Sequence, residues 1–226
     1  MRHVFHLMLA STLLALAAAP TAHAQSADPT IYVVRYVEVA PGAAEQGAAL
    51  VKKLAEASRK EAGAMHFDVV QRTSPTTQFA TYEVWKDKAA LDAHEAAAHK
   101  QFLDAAQSML IAPVDDRPCV SIDVAPGQVP AGSIFAITHV DVAPPNKDAG
   151  IALLKSVAGP ARKEPGNLAF DALQQTARSN HFEVVEIWAD QKAEDAHENS
   201  AATKEYRTKV QPLLGAHYDR RWYKSL

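Results

Sequence analysis

The sequence predicts an α+β protein in which two tandem β-α-β-β-α-β units pack on each other as a barrel, and three observations carry this. EVWKDKAALDAH at residues 83–94 returns as EIWADQKAEDAH at 186–197, with seven of twelve positions identical at an offset of 186 − 83 = 103. At the same offset IYVVRYVEVAP at 31 meets IFAITHVDVAP at 134, and no gap is needed from residue 31 to about 110. Each copy then alternates β-branched runs with stretches of helical periodicity in one fixed order.

The elements follow in turn. Residues 31–39 are β-branched and bounded by Pro41, hence a strand. Residues 43–61 place Leu50, Val51, Leu54 and Ala55 at helical spacing and stop at Gly63. In the second copy Gly159-Pro160 falls in the equivalent helix and should kink or shorten it. Two strands come next, 66–72 and 78–85, joined by TSPT, or by TARSN in the second copy. Asp87 and Asp190 then offer N-caps for a helix that carries His94 or His197. PCVSID or RRWYKS closes each unit. This is the ferredoxin-like split arrangement.

A sheet with helices on one face must bury its other face, and a second copy supplies the cover, giving an intramolecular counterpart of a dimeric α+β barrel. The expected chain is therefore a monomer with two domains, residues 31–123 and 133–226, joined by a Pro/Gly linker at 124–132. Residues 1–24 read as a signal peptide: Arg2, an apolar run and Ala22-His23-Ala24 before QSADP. The expected location is periplasmic or secreted, with no membrane span after cleavage. Removing those residues leaves 226 − 24 = 202, with 22 − 26 = −4 net charge, which advertises no nucleic-acid partner. Cys119 is the only cysteine, so no intramolecular disulfide forms.

On the third strand, alternation puts Glu83 and Trp85 on one face with Thr81 and Phe79, and Tyr82 on the other. On the helix that follows, Ala90, Leu91, His94 and Ala97 form one stripe, so His94 aims into apolar surroundings. A buried ionisable group is costly unless paired, which leaves Glu83 and Glu186 with either a structural partner or a task. An imidazole titrates near neutrality and suits proton transfer. Trp85 and Trp188 read as core or cavity wall.

ExW, a short Asp-containing turn, a helix with His nine residues after the Trp, and a preceding KExG together resemble the antibiotic biosynthesis monooxygenase domain, including the small bacterial quinol monooxygenases. The resemblance covers nearly all of both copies. It implies oxidation of a small quinol or phenolic substrate with O₂ and no metal or flavin, so no cofactor is expected and the partners are a small aromatic molecule and O₂. It places the catalytic residues at His94, His197, Glu83 and Glu186. In the first copy His94 would be the base, His99, Tyr82 or Arg35 donors to the substrate anion, and Phe67, Trp85 and Met109 walls; Trp188 has the wall position in the second. A second helical His found in quinol-monooxygenase-like sequences matches His99, where the second copy has Ala202, and Arg35 aligns with Thr138, so activity is expected mainly around His94. The alternative function is a non-catalytic binder of small apolar molecules.

Other motifs fail. HEAAAH at 94–99 is one residue longer than the zincin HExxH, and on a regular α-helix the two imidazoles would diverge by about 140°. No further Cys/His cluster, phosphate loop or GxSxG is present, so no metal is expected. His66, His139, His181 and His217 read as surface or edge-strand residues.

Overall fold

The computed structural model describes residues 30–125, Gly127 and residues 129–226. The expected signal segment lies outside them. The first copy comprises β1 (Ile31–Glu38), α1 (Ala44–Ser58), β2 (Ala64–Arg72), β3 (Gln78–Trp85), α2 (Lys88–His94), α3 (Lys100–Ala106) and β4 (Asp115–Asp123). The second comprises β5 (Ile134–Asp141), α4 (Lys147–Ala161), β6 (Asn167–Gln175), β7 (His181–Trp188), α5 (Gln191–Glu198), α6 (Ala201–Val210) and β8 (Asp219–Ser225). The expected order holds in both, with each second helix divided in two.

Local chemistry sets these boundaries. The carboxylates of Asp87 and Asp190 accept the N–H groups of Ala90 and Ala193 at 2.9 and 2.8 Å, starting α2 and α5. Gly63 and Gly166 adopt φ of +87° and +82°, and a Cβ there would stand 2.5 Å from the Cβ of Ala90 or Ala193. Glycine is what lets the loop after α1 or α4 close against the following helix. The expected damage from Pro160 is corrected: α4 has 15 residues, as α1 does, because the proline falls in the last turn and forfeits a single backbone hydrogen bond.

All eight strands form one closed barrel, ordered β1-β3-β2-β8-β5-β7-β6-β4. Pairing is antiparallel throughout, so β1, β2, β5 and β6 start at one end of the barrel, called here the lower mouth. The copies join edge to edge as well as face to face. β2 meets β8 at Val70↔Ser225 to Arg72↔Tyr223, and β4 meets β6 at Cys119↔Gln175 to Asp123↔Ala172. Alternation then sorts the apolar side chains into three layers. Tyr32, Val34 and Tyr82 meet Phe135, Ile137 and Val185 inside the barrel. Val33, Phe79 and Trp85 pack under α1 and α3, and Phe170, Phe182 and Val184 under α4 and α6.

A polar plug fills the upper part of the barrel. Buried Glu183 accepts from Arg117 Nη1, His139 Nδ1 and Gln175 Nε2, each at 2.8 Å, and from the Tyr36 hydroxyl at 3.1 Å. The surface reading of His139 is thereby corrected: it continues the inward-facing series of Phe135 and Ile137. His181 lies beside it, with ring centroids 5.2 Å apart, while His66 is half-buried and His217 exposed.

Candidate active site

The repeated E-x-W…H spacing builds one motif in each copy. Trp85 Nε1–H donates to Glu83 Oε2 at 3.0 Å, and Trp188 Nε1–H to Glu186 Oε2 at 3.2 Å. The two positions lie on one strand face, so acid and indole both point under the helices. The helix then lays its histidine on the indole, with centroids 4.5 Å apart for Trp85 and His94 and 4.7 Å for Trp188 and His197. KExG supplies a further partner. Glu61 Oε2 stands 2.7 Å from His94 Nδ1, and Glu164 Oε2 is 2.8 Å from His197 Nδ1. A carboxylate only accepts, so Nδ1 carries hydrogen in both rings and the state of Nε2 decides what each can do.

Here the copies part. Among the described residues His94 Nε2 is buried with no hydrogen-bond partner, 3.8 Å from Glu83 Oε2. His197 Nε2 is engaged, 3.2 Å from Glu186 Oε2 and 3.2 Å from Thr203 Oγ1. Burial alone would lower the His197 pKa; Glu186 and Glu164 outweigh it and raise the value. Glu186 is itself held at about 2: burial raises its pKa, but Arg220 and His197 more than offset that. The second centre is thus a histidine held between two carboxylates, with its pKa raised, around a space of about 10 Å³.

Each centre also has an arginine, supplied from different strands. Arg35 on β1 donates through Nε to Glu83 Oε1 at 2.7 Å and through Nη1 to Asp116 on β4 at 2.6 Å, and it pairs with Glu95 through Nη2. In the second copy Thr138 takes the β5 position, and Arg220 on β8 reaches both oxygens of Glu186, and Glu194 Oε1 at 3.0 Å. Arg220 Nε lies 3.0 Å from Glu198 Oε1 without hydrogen-bond geometry. Cross-strand register explains the exchange: Arg35↔Asp116 in one copy occupies the place of Thr138↔Arg220 in the other. The divergence read from Arg35 and Thr138 is therefore one of position, since a guanidinium is present at both centres.

Residues Glu95–His99 form a π-turn between α2 and α3. Its wider winding brings His94 and His99 onto one side, with centroids 5.7 Å apart, which corrects the divergence expected from a regular α-helix. His99 Nε2 is 3.4 Å from Arg35 Nη1, and burial together with that guanidinium lowers the His99 pKa. Its Nδ1 is buried and has no hydrogen-bond partner among the described residues. Among the described residues no group of three His, Cys, Asp or Glu is placed to hold a metal ion.

The first centre therefore unites Glu83, Trp85, His94, His99 and Arg35, with the Phe67 ring 5.7 Å from His94. Two expected members are elsewhere. Tyr82 points into the barrel, where its hydroxyl donates to Asp171 Oδ2 at 2.8 Å, as the alternation along β3 requires. Met109 is anchored through its carbonyl to Ala40 N, beyond the end of β1 opposite to the Ile31↔Trp85 pair. Sequence reasoning gave no role to Glu61, Glu164, Glu95, Asp116 or Arg220. Register identity within KExG was a usable signal for the first two.

The model of the family described as "Antibiotic biosynthesis monooxygenase" matches residues 30–106 and again 133–209. The Bacillus subtilis protein "Putative monooxygenase YcnE" is 31% identical over 86 residues, covering 38% of this chain and 90% of its own length. Among solved structures, a Fusobacterium nucleatum protein with the same monooxygenase description superposes with a TM-score of 0.79 at 17% identity, over 89% of this chain and 94% of that one. An "anthrone oxidase-like protein" superposes with 0.67 at 14% identity, over 88% and 92%. These two likenesses show the shared architecture. With its model matched twice over most of the chain, the protein belongs to the antibiotic biosynthesis monooxygenase family as a tandem, two-copy member.

Proposed function

We propose that the chain is an exported monooxygenase that oxidises a small quinol or phenolic substrate with O₂ at the first centre. The observation that carries this reading is the unpartnered Nε2 of His94, the nitrogen left to take up a proton since Nδ1 faces Glu61. In this reading His94 takes the phenolic proton and Arg35 and His99, 3.4 Å apart beside it, are the donors to the resulting anion. The electron-rich ring carbon then adds O₂. Cleavage of the peroxide leaves one oxygen on the ring and releases the other as water. The His94 side chain is 0% exposed, so a substrate reaches it only when the groups packed around it move. Glu83 holds Arg35 and Trp85 in place and is a positioning residue.

The test is O₂ uptake by purified, metal-free protein against a panel of quinols and anthrols. Uptake with stoichiometric quinone, lost in His94→Ala, is expected. Tight quinone binding without any uptake would establish the non-catalytic binder instead.

A further inference from the structure

The lower mouth of the barrel holds a cavity of about 280 Å³, on the opposite face of the sheet from His94. Its walls come from both copies: Tyr32, Tyr82 and Val84 from the first, Ala169, Asp171 and Ile187 from the second. The copies do not contribute alike. Tyr32 and Tyr82 align with Phe135 and Val185, so the hydroxyls come from the first copy; Asp171 aligns with Asp68, but Asp68 is taken up by His66 at 2.6 Å, which leaves the carboxylate of the second copy to the cavity. Duplication has made one asymmetric site here, not two.

Its electrostatics are one-sided. Asp171 is 6% exposed; Oδ2 accepts from the Tyr82 hydroxyl at 2.8 Å and Oδ1 from Ala125 N–H at 3.1 Å. A carboxylate has further lone-pair directions to offer. No lysine or arginine lines the cavity among the described residues. Arg162, at the end of α4, is turned away to Asp123 and the Phe170 carbonyl. The imidazole on the rim, His66, is paired with Asp68 at 2.6 Å. Burial raises the Asp171 pKa, and its neighbours offset that incompletely, as for an acid short of positive charge. Two phenol rings and an apolar wall around a desolvated carboxylate suit a cation: the acid takes the charge and the rings take the remainder through their faces.

We propose that this cavity binds a small, one-ring organic cation of the arylalkylamine type, its ammonium on Asp171 and its ring against Tyr32, Val84 and Ile187. The site is independent of the oxidation proposed at His94. This volume has room for a single substituted ring.

Three ligands of one shape and different charge test it on the full chain by calorimetric titration: benzylamine, benzyl alcohol and benzoate. Benzylamine is expected to bind at least tenfold more tightly than benzyl alcohol, with benzoate weakest. In Asp171→Asn the advantage of amine over alcohol should vanish while quinol-dependent O₂ uptake is unchanged. If that variant does not fold, Ala169→Leu, which fills the wall without touching the carboxylate, should weaken both neutral and cationic ligands at least tenfold. Benzoate binding as well as benzylamine, no binding by any of the three, or undiminished amine binding in Ala169→Leu would overturn the proposal.

Discussion

His94 and His197 occupy the same helix position, rest on the same tryptophan and are held by the same KExG glutamate. They differ in what lies around Nε2. In the second copy the guanidinium arrives from β8 and the Ser200–Thr203 cap replaces the π-turn, so Thr203 and Glu186 close on the ring. In the first the guanidinium arrives from β1, Glu83 is drawn to it, and Nε2 is left without a partner. The lesson is that one scaffold leaves a ring nitrogen unpartnered or satisfies it according to where the guanidinium enters. The same scaffold becomes a structural ion cluster once the last nitrogen is satisfied.

The sharpest way to break this contrast is kinetic. His94→Ala should lower turnover by about 10² to 10⁴, the contribution of a general base, while His197→Ala should change it by less than about tenfold. Equal losses in steady-state O₂ uptake would remove the distinction. Next in size is the stability of the two arginine networks. Arg220→Met strands Glu186 and Glu194, both nearly fully buried, and should cost about 3–5 kcal/mol in urea unfolding. Arg35→Met should cost less, about 1–3 kcal/mol, because two of its partners, Glu95 and Asp116, are 38% and 44% exposed and can return to water.

A smaller effect separates the copies by pH. The His197 pKa is raised on folding, so its contribution is fully present below the unfolded value of about 6.5 and is lost as pH rises through the higher folded value. The urea midpoint should accordingly fall over that window, and the step should disappear in His197→Gln. Glu186 has the opposite sign: its stabilisation is present above the ordinary carboxylate range and is lost as pH falls towards about 2. Where the copies are alike they should respond alike. Asp87→Ala and Asp190→Ala each remove one cap and should each cost about 1 kcal/mol. Unequal values would mean that the two helix starts differ more than their geometry shows.

Much of this was legible in the sequence, because the repeat fixed its own register. The element order, the caps at Asp87 and Asp190, and the shared face of Glu83 and Trp85 all follow from periodicity and local turn chemistry. The failures have physical causes. Alternation assigned Tyr82 to the far face, yet it was still counted with His94, because a strand pattern does not say which face carries a site. The π-turn at Glu95–His99 has no compositional signature in EAAAH, so the angle between His94 and His99 was taken from an ideal helix. Arg220 was hidden by one residue of slip. The cross-strand partner of Arg35 is Asp116, whereas that of Thr138 is Arg220, and 220 − 116 = 104, not 103. Only pairing between strands distant in sequence shows that the two copies keep the same cation from different positions.

The edges at which β4 meets β6 and β8 meets β2 have a consequence for inheritance. A barrel assembled from two identical chains is encoded once, so a substitution that improves one half is imposed on the other. With both halves in one reading frame and each closing strand lent across the seam, a change is made singly while the partner preserves the frame. Arg35 with Thr138, Tyr82 with Val185 and Tyr36 with His139 are such single changes. The shared seam is what lets one half specialise without the other having to follow.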